Sequence, residues 1–289
     1  MSANPYAKFD AEFARLFADG KSLPLGGFSA PPKPKCAPSA RVALIFSPHP
    51  DDECITGGLA LRLLRETGAR VINIAVTLGS NKARQQSRLQ ELKRACDWLG
   101  FDLEVAAEGL EKINPISRSN EVAHWAAAVK TIADIIAKHQ PRLIFLPHEL
   151  DGHPTHTGTH LLVMDALKTL PEDFECHLVE TEFWRQMVAP NLIVESSTDD
   201  VSDLVAALSF HVGEVRRNPY HLRLPAWMQD NVRRGAELVG GHGGAAPDFA
   251  FATLYKVLQW KNCCVNESHV RRKQISESDF TGEVFECIR

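Results

Sequence analysis

The sequence predicts an α/β fold: a single large domain on a mostly parallel sheet with helices on both faces. Three observations carry this. Short, continuous apolar runs recur between residues 41 and 147, and such runs read as strands buried on both faces. Segments with helical apolar spacing separate them, giving β-α-β-α-β-α-β at short intervals. The composition is ordinary for a globular chain, with 289 residues, 44% hydrophobic and 24% charged. That is ample material for a core, and it excludes disorder, collagen and coiled coil for the bulk of the chain. At roughly 150 residues per domain the length admits about two domains, but α/β sheets run past about 200 residues as one.

The elements follow in order. Residues 1–40 read as a peripheral lead-in. Residues 11–18 have the spacing of a short amphipathic helix. Residues 26–40 (GGFSAPPKPKCAPSA) hold four prolines and favour extended chain laid over the surface. VALIFS at 42–47 is the first buried strand. Residues 55–67 have helical spacing and stop at Gly68, a natural residue just past a helix end. VINIAVTL at 71–78 is the second strand. Residues 81–99 form a helix with Leu89, Leu92, Ala95, Cys96 and Leu99 on one face and Gly100 after it. A short strand at 103–106, a helix at 122–138 and the strand RLIFLP at 142–147 complete the alternation. Beyond Thr157 the pattern loosens. A helix over 158–170, a strand over 176–184 (CHLVETEFW) and a helix over 201–212 are predicted, and 239–247 reads as a flexible glycine-rich loop. The last 25 residues are polar and mixed and take no element. The main domain is therefore expected at 41–260, with 261–289 as a polar C-terminal extension. No internal repeat is visible.

Charge and cysteine usage set further bounds. The net charge is −4 and the pI about 6.3, so nucleic acid is not an expected partner. No stretch of about 18 apolar residues exists, so no membrane span is expected. The first residues (MSANPYAKFDAEFARLF) carry acidic groups where a signal peptide has its apolar run, which predicts a cytoplasmic protein. The seven cysteines are odd in number and lack a CxxC pair, as expected of reduced thiols, several of them buried. Adjacent Cys263 and Cys264 are a weak metal signal. A homo-oligomer is compatible with the sequence, but no residue pattern fixes the oligomeric state.

Two segments carry chemistry. The first, Ser47-Pro48-His49-Pro50-Asp51-Asp52-Glu53, follows the first strand directly. In open α/β sheets ligands bind just beyond the carboxyl ends of strands. Pro48 and Pro50 stiffen the loop. Imidazole together with carboxylate suits Zn²⁺ or a similar first-row metal, and adjacent carboxylates can divide metal binding from proton transfer. An acidic helix N-terminus capped by Asp51 or Asp52 is the plainer reading, but it explains neither His49 nor the prolines. The second segment, His148 to His160, follows the fourth strand and holds four of the twelve histidines. The spacing of His153 and His156 lets one bind metal while the other faces a substrate. His148 and His160 read as hydrogen-bonded loop residues.

Together, PHPDDE after a first strand and GHPTH about one hundred residues later resemble the PIG-L/LmbE-like N-deacetylase family. Arg88-Leu89-Gln90-Glu91, followed by Leu99-Gly100, matches the family's Arg-x-x-Glu helix ending in Leu-Gly. The resemblance covers roughly residues 41–260. It implies a Rossmann-like fold, one Zn²⁺ per chain (or another divalent first-row metal), and a small amino-sugar substrate from which an N-acetyl group is hydrolysed. Carried over by residue, it makes His49, Asp52 and His156 the metal ligands. Asp51 becomes the general base and His153 the second catalytic group. Arg88 becomes a substrate contact to sugar hydroxyls or a phosphate, with Glu91 structural and orienting Arg88. Two departures stand out: Thr155 occupies a position where the family often has Asp, and Asp151 one where some members have an aromatic residue.

The residues also account for the chemistry directly. An amide is a poor electrophile, so its hydrolysis needs an activated water, a stabilised oxyanion and a protonated leaving amine. Two histidines and a carboxylate leave Zn²⁺ an open position. Asp51 can move the proton, and a protonated His153 can stabilise the tetrahedral intermediate. A metal-dependent esterase or phosphoesterase could use the same groups, although phosphoryl transfer favours a second metal. A non-catalytic metal-binding homologue could lose the base, but Asp51 is present. A dinucleotide-dependent oxidoreductase would need GxGxxG after the first strand, and only Gly57-Gly58 is there.

Overall fold

The computed structural model describes residues 4–268 and 274–282. Helix α1 (Ala7–Gly20) precedes the extended lead-in, and strand β1 (Val42–Ser47) opens the sheet. Short helix α2 (Asp52–Ile55), helix α3 (Gly58–Thr67), β2 (Arg70–Ala75), α4 (Lys82–Leu99) and β3 (Asp102–Val105) follow. Then come α5 (Pro115–Asn120), α6 (Val122–His139), β4 (Leu143–Pro147), α7 (Pro154–Leu167) and β5 (Cys176–Thr181). The chain continues through β6 (Leu192–Glu195), α8 (Thr198–Ser209), α9 (Val212–Arg217), a 3₁₀ turn at Tyr220–Arg223 and α10 (Leu224–Leu238). It closes, among the described residues, with β7 (Ala252–Lys261), β8 (Cys264–Glu267) and β9 (Gln274–Ile275).

The sheet order is β3-β2-β1-β4-β5-β7-β6-β9, with β8 paired to β7. Strands β3 through β5 are all parallel; β7 then runs antiparallel to β5, β6 and β8. The chain leaves β1 toward β2 and β3, then returns to β4 on β1's other side. The reversal between β1 and β4 is where such sheets open a crevice for ligands.

Strand β1 shows why its sequence is continuously apolar. Ala43 and Ile45 pack with α3, α4 and α8 on one face, while Leu44 and Phe46 pack with α6 and α7 on the other. Both sides are dry, so no polar alternation is needed. The lead-in is tied down by Phe28, which packs edge-on against Trp98 and Phe210, and by the Gly26 N–H on Ser209 Oγ.

Several boundaries differ from expectation. The predicted helix over 55–67 is interrupted: α2 ends at Ile55, Gly57 sits at φ +87°, and α3 begins at Gly58. The buried Tyr255 hydroxyl causes the break. It donates to Thr56 O at 2.7 Å and accepts from Leu59 N at 3.3 Å, serving both cut ends. A Cβ at Gly57 would lie 2.8 Å from that oxygen. The second strand ends at Ala75, because its partner β1 runs into Pro48 and Pro50, which cannot supply ladder N–H groups. Helix α7 starts at Pro154, four residues before the predicted 158, since proline favours the first helical position. Strand β5 stops at Thr181, short of the predicted 184. Helices α5, α9 and α10 and strands β6 to β9 were not expected. Strands β8 and β9 lie within the segment read as a polar extension, and β9 pairs with β6. Cys287 lies outside the described residues. No described helix is long and apolar enough to cross a membrane.

Candidate active site

Because β1 and β4 are hydrogen-bonded neighbours, the two motifs leave adjacent strand ends. His49 stands in the loop after β1, and Asp52 opens α2. His156 lies in the first turn of α7, fully buried. Their ligand atoms form a triangle: His49 Nδ1 to His156 Nε2 is 3.2 Å, His156 Nε2 to Asp52 Oδ2 is 3.3 Å, and His49 Nδ1 to Asp52 Oδ2 is 3.5 Å. Donors about 2.0–2.2 Å from a tetrahedral Zn²⁺ lie roughly 3.3–3.6 Å apart, so the donor set fits such an ion. The His49 backbone N–H also donates to Asp52 Oδ2 at 2.8 Å, fixing the carboxylate. Burial disfavours the Asp52 carboxylate, but His156 and the hydrogen bonds from His49 outweigh it and hold its pKa below the ordinary value.

His153 stands beside the triangle. One of its ring nitrogens lies within 4.8 Å of a ring nitrogen of His49 and of His156. As the N-cap of α7 its side chain accepts from the Thr155 N–H at 3.3 Å through Nδ1, which leaves the neutral ring's proton on Nε2. Burial, then His49 and His156, lower its pKa. Nε2 is therefore the ring nitrogen left to donate.

Asp51 is held differently from Asp52. It is a non-glycine residue at φ +115°, a conformation that costs on the order of 1–3 kcal/mol. Its side chain makes no capping bond to α2. Instead the Tyr220 hydroxyl donates to Asp51 Oδ2 at 2.5 Å, and the Asp51 N–H donates to Glu53 Oε2 at 2.8 Å. Glu53 in turn accepts from His211 at 2.7 Å, both groups fully buried. Burial disfavours the imidazolium, but the Glu53 carboxylate outweighs it and raises the pKa of His211. Burial, and then the neighbouring Asp52, push the Asp51 carboxyl up to about 7, against the pull of His211, Arg88 and Tyr220. An acid with that pKa beside a metal-type triangle is what proton transfer near neutrality requires. Cys54 completes a second buried cluster of ligand types with Glu53 and His211; Glu53 Oε1 bonds His211 Nε2, while His211 Nδ1 is buried without a partner.

Arg88, on α4, donates from Nη2 to Pro50 O at 2.7 Å and lies 3.8 Å from Asp51 Oδ2. Its Nε is buried without a partner. Glu91 does not orient it: Glu91 Oε1 accepts from the Gly213 N–H of α9 at 3.1 Å. His148 and His160 bond to the carbonyls of Arg185 and Pro147 at 2.9 and 3.0 Å. A cavity of about 370 Å³ opens over the triangle, lined by His49, Asp51, Asp52, Arg88 and His156 and walled by Phe183, Trp184, Glu214, Arg217, Asn218 and Tyr220. The sequence reading missed Tyr220, His211 and Trp184. Tyr220 reaches Asp51 across 169 residues and His211 reaches Glu53 across 158, and no local spacing signals such pairs.

Comparisons with known proteins bear on the family likeness and the fold. Residues 44–167 match the family model "PIG-L: GlcNAc-PI de-N-acetylase". Diacetylchitobiose deacetylase of Thermococcus kodakarensis is 26% identical over 137 residues, which are 43% of this chain and 48% of that protein. The probable N-acetyl-alpha-D-glucosaminyl L-malate deacetylase 2 of Bacillus cereus is 27% identical over 146 residues, 46% of this chain and 64% of that protein. The matches thus span about half and just under two thirds of these relatives. In structure, N,N'-diacetylchitobiose deacetylase of Pyrococcus horikoshii superposes with a TM-score of 0.55 at 18% identity, covering 86% of this chain and 92% of that one. The 4-carboxy-2-hydroxymuconate hydratase of Pseudomonas putida KT2440 does so at 0.55 and 17%, covering 75% and 95%. A hydratase sharing the fold means that the fold alone does not choose the reaction. Residues 44–167 thus match the PIG-L family model, and the α/β fold is one that this chain shares with the solved diacetylchitobiose deacetylase.

Proposed function

We propose that this chain is a metal-dependent hydrolase that removes the N-acetyl group from an N-acetylglucosamine-type amino sugar or its conjugate, releasing acetate and a free amine. The observation that carries this is the three-donor triangle of His49, Asp52 and His156 beside Asp51, whose carboxyl is pushed up to about 7, at the floor of one cavity. The deacetylase names of the two curated relatives support the same reading.

His49, Asp52 and His156 would hold one Zn²⁺ per chain, with another divalent first-row ion as the alternative. When bound, such an ion supplies Lewis acidity that polarises the acetyl carbonyl and acidifies the attacking water. The protein supplies the rest. Tyr220 occupies Oδ2 of Asp51, which leaves Oδ1 to take the water proton and later hand it to the leaving amine. Burial keeps the Tyr220 phenol protonated, so it acts as a fixed donor. His153 donates its Nε2 proton to the oxyanion that forms from the acetyl oxygen. Arg88 braces the Pro50 carbonyl with Nη2, and its guanidinium lines the cavity, where it can meet a sugar hydroxyl or an anionic substituent.

The test is mass spectrometry of N-acetylglucosamine, diacetylchitobiose and an anionic N-acetylglucosamine conjugate incubated with zinc-loaded protein. Loss of one acetyl group with release of acetate is expected from at least one of them. Intact amides alongside rapid hydrolysis of simple carboxylic or phosphate esters would favour an esterase or phosphoesterase and overturn the assignment.

A further inference from the structure

Asp151 is fully buried, yet it belongs to none of the groups assigned above. A buried carboxylate is costly unless paired and hydrogen-bonded, so its partners show what it is for. Oδ1 accepts from the His153 backbone N–H at 3.3 Å and lies 3.4 Å from Nδ1 of His156. Oδ2 accepts from the Trp184 backbone N–H at 3.0 Å. The imidazole of His156 has its other nitrogen, Nε2, in the triangle with His49 and Asp52. Its Nδ1 is buried and makes no hydrogen bond. The ring therefore lies between the triangle and Asp151. Phe183, adjacent to the anchored Trp184, packs edge-on to the same ring with centroids 5.0 Å apart.

We propose that Asp151 is the positioning residue of the metal centre. Its carboxylate keeps the His156 proton on Nδ1, so that the Nε2 lone pair faces His49 and Asp52, while its second oxygen holds the Phe183–Trp184 segment against the ring. This rests on the metal reading above. A neutral imidazole must carry one proton, and only the Nδ1–H tautomer offers Nε2 as a ligand. Carboxylates placed behind a ligating histidine fix its tautomer and raise its basicity, and losing one typically weakens metal binding about 10–100-fold.

The test uses metal-free protein titrated with Zn²⁺ against a chromophoric chelator. Asp151→Asn keeps the shape and an acceptor oxygen but removes the charge, and should weaken Zn²⁺ binding about 10–100-fold. Asp151→Glu, which keeps the charge, should recover part of that loss. Affinity within twofold of wild type for Asp151→Asn would overturn the inference and leave Asp151 as a loop brace. Should the variants fail to fold, ¹⁵N-histidine NMR of zinc-loaded wild type reads the tautomer directly. A protonated Nδ1 on His156 is expected, and a protonated Nε2 would overturn the proposal. Wild type that binds no stoichiometric Zn²⁺ would overturn the metal reading itself, a result distinct from a wild type and variant that bind alike.

Discussion

Asp51→Asn separates the chemistry of the site from its assembly. An amide is nearly isosteric with the carboxylate and can still accept from Tyr220, but it cannot take a proton. Loss of a general base costs about 10²–10⁴ in rate, so turnover should fall by that factor with Zn²⁺ content unchanged. The same substitution has a second, opposite effect on stability. The Asp51 carboxyl is raised from 3.8 to about 7 by burial and by Asp52. About three units correspond to at most about 4 kcal/mol, by which the folded state disfavours the ionised group. The sign follows from linkage. Below about pH 4 the group is protonated in both states and the cost is absent; it grows between pH 4 and 7 and is complete above pH 7. Metal-free Asp51→Asn should therefore match metal-free wild type near pH 4 and exceed it at pH 8. At roughly 2–4 °C per kcal/mol, the gain in Tm at pH 8 is at most about 8–16 °C. Acetate release and thermal melts of chelated protein at the two pH values measure both effects. A variant that loses its metal would make Asp51 a ligand and exchange the roles of Asp51 and Asp52. Turnover within tenfold of wild type would remove Asp51 as the base, and a melting difference equal at both pH values would refute the electrostatic account.

The other sites lead to equally specific outcomes. His156→Ala removes one corner of the triangle and should abolish stoichiometric Zn²⁺ retention, checked by metal analysis after dialysis; retention at wild-type affinity would contradict the ligand set. Arg88→Ala should lower kcat/KM about tenfold or more on the best amino-sugar substrate with metal still in place, whereas unchanged kinetics would reduce Arg88 to a brace for Pro50. His211→Ala leaves the Glu53 carboxylate buried without its partner and should destabilise the fold by about 3–5 kcal/mol in denaturant titrations. Because the His211 pKa is raised, its contribution is fully present below about pH 6.5 and is lost as pH rises through the folded value, so the difference between wild type and variant should be larger at pH 6 than at pH 9.

The strand–helix alternation from β1 to β4 was legible in the sequence because those strands are dry on both faces, and a continuous apolar run has no other economical explanation. The two motifs were legible for a related reason: each is a contiguous polar cluster directly after such a strand, so local order alone carries the signal. The break at Gly57 was not legible, because a hydroxyl from β7, 199 residues on, cuts a helix that the spacing of 55–67 would have continued. What tertiary structure decided is how two neighbouring carboxylates differ. Asp51 and Asp52 are chemically identical in the chain. Asp52 is drawn down by His156, 104 positions away, while Asp51 is pushed up by burial and fixed by Tyr220. The same holds for His153, whose pKa is lowered by burial and then by His49 and His156. Side-chain type and order along the chain determine which groups arrive at the sheet edge. Protonation depends on distances and solvent exclusion among groups far apart in sequence, and those exist only once the chain has folded.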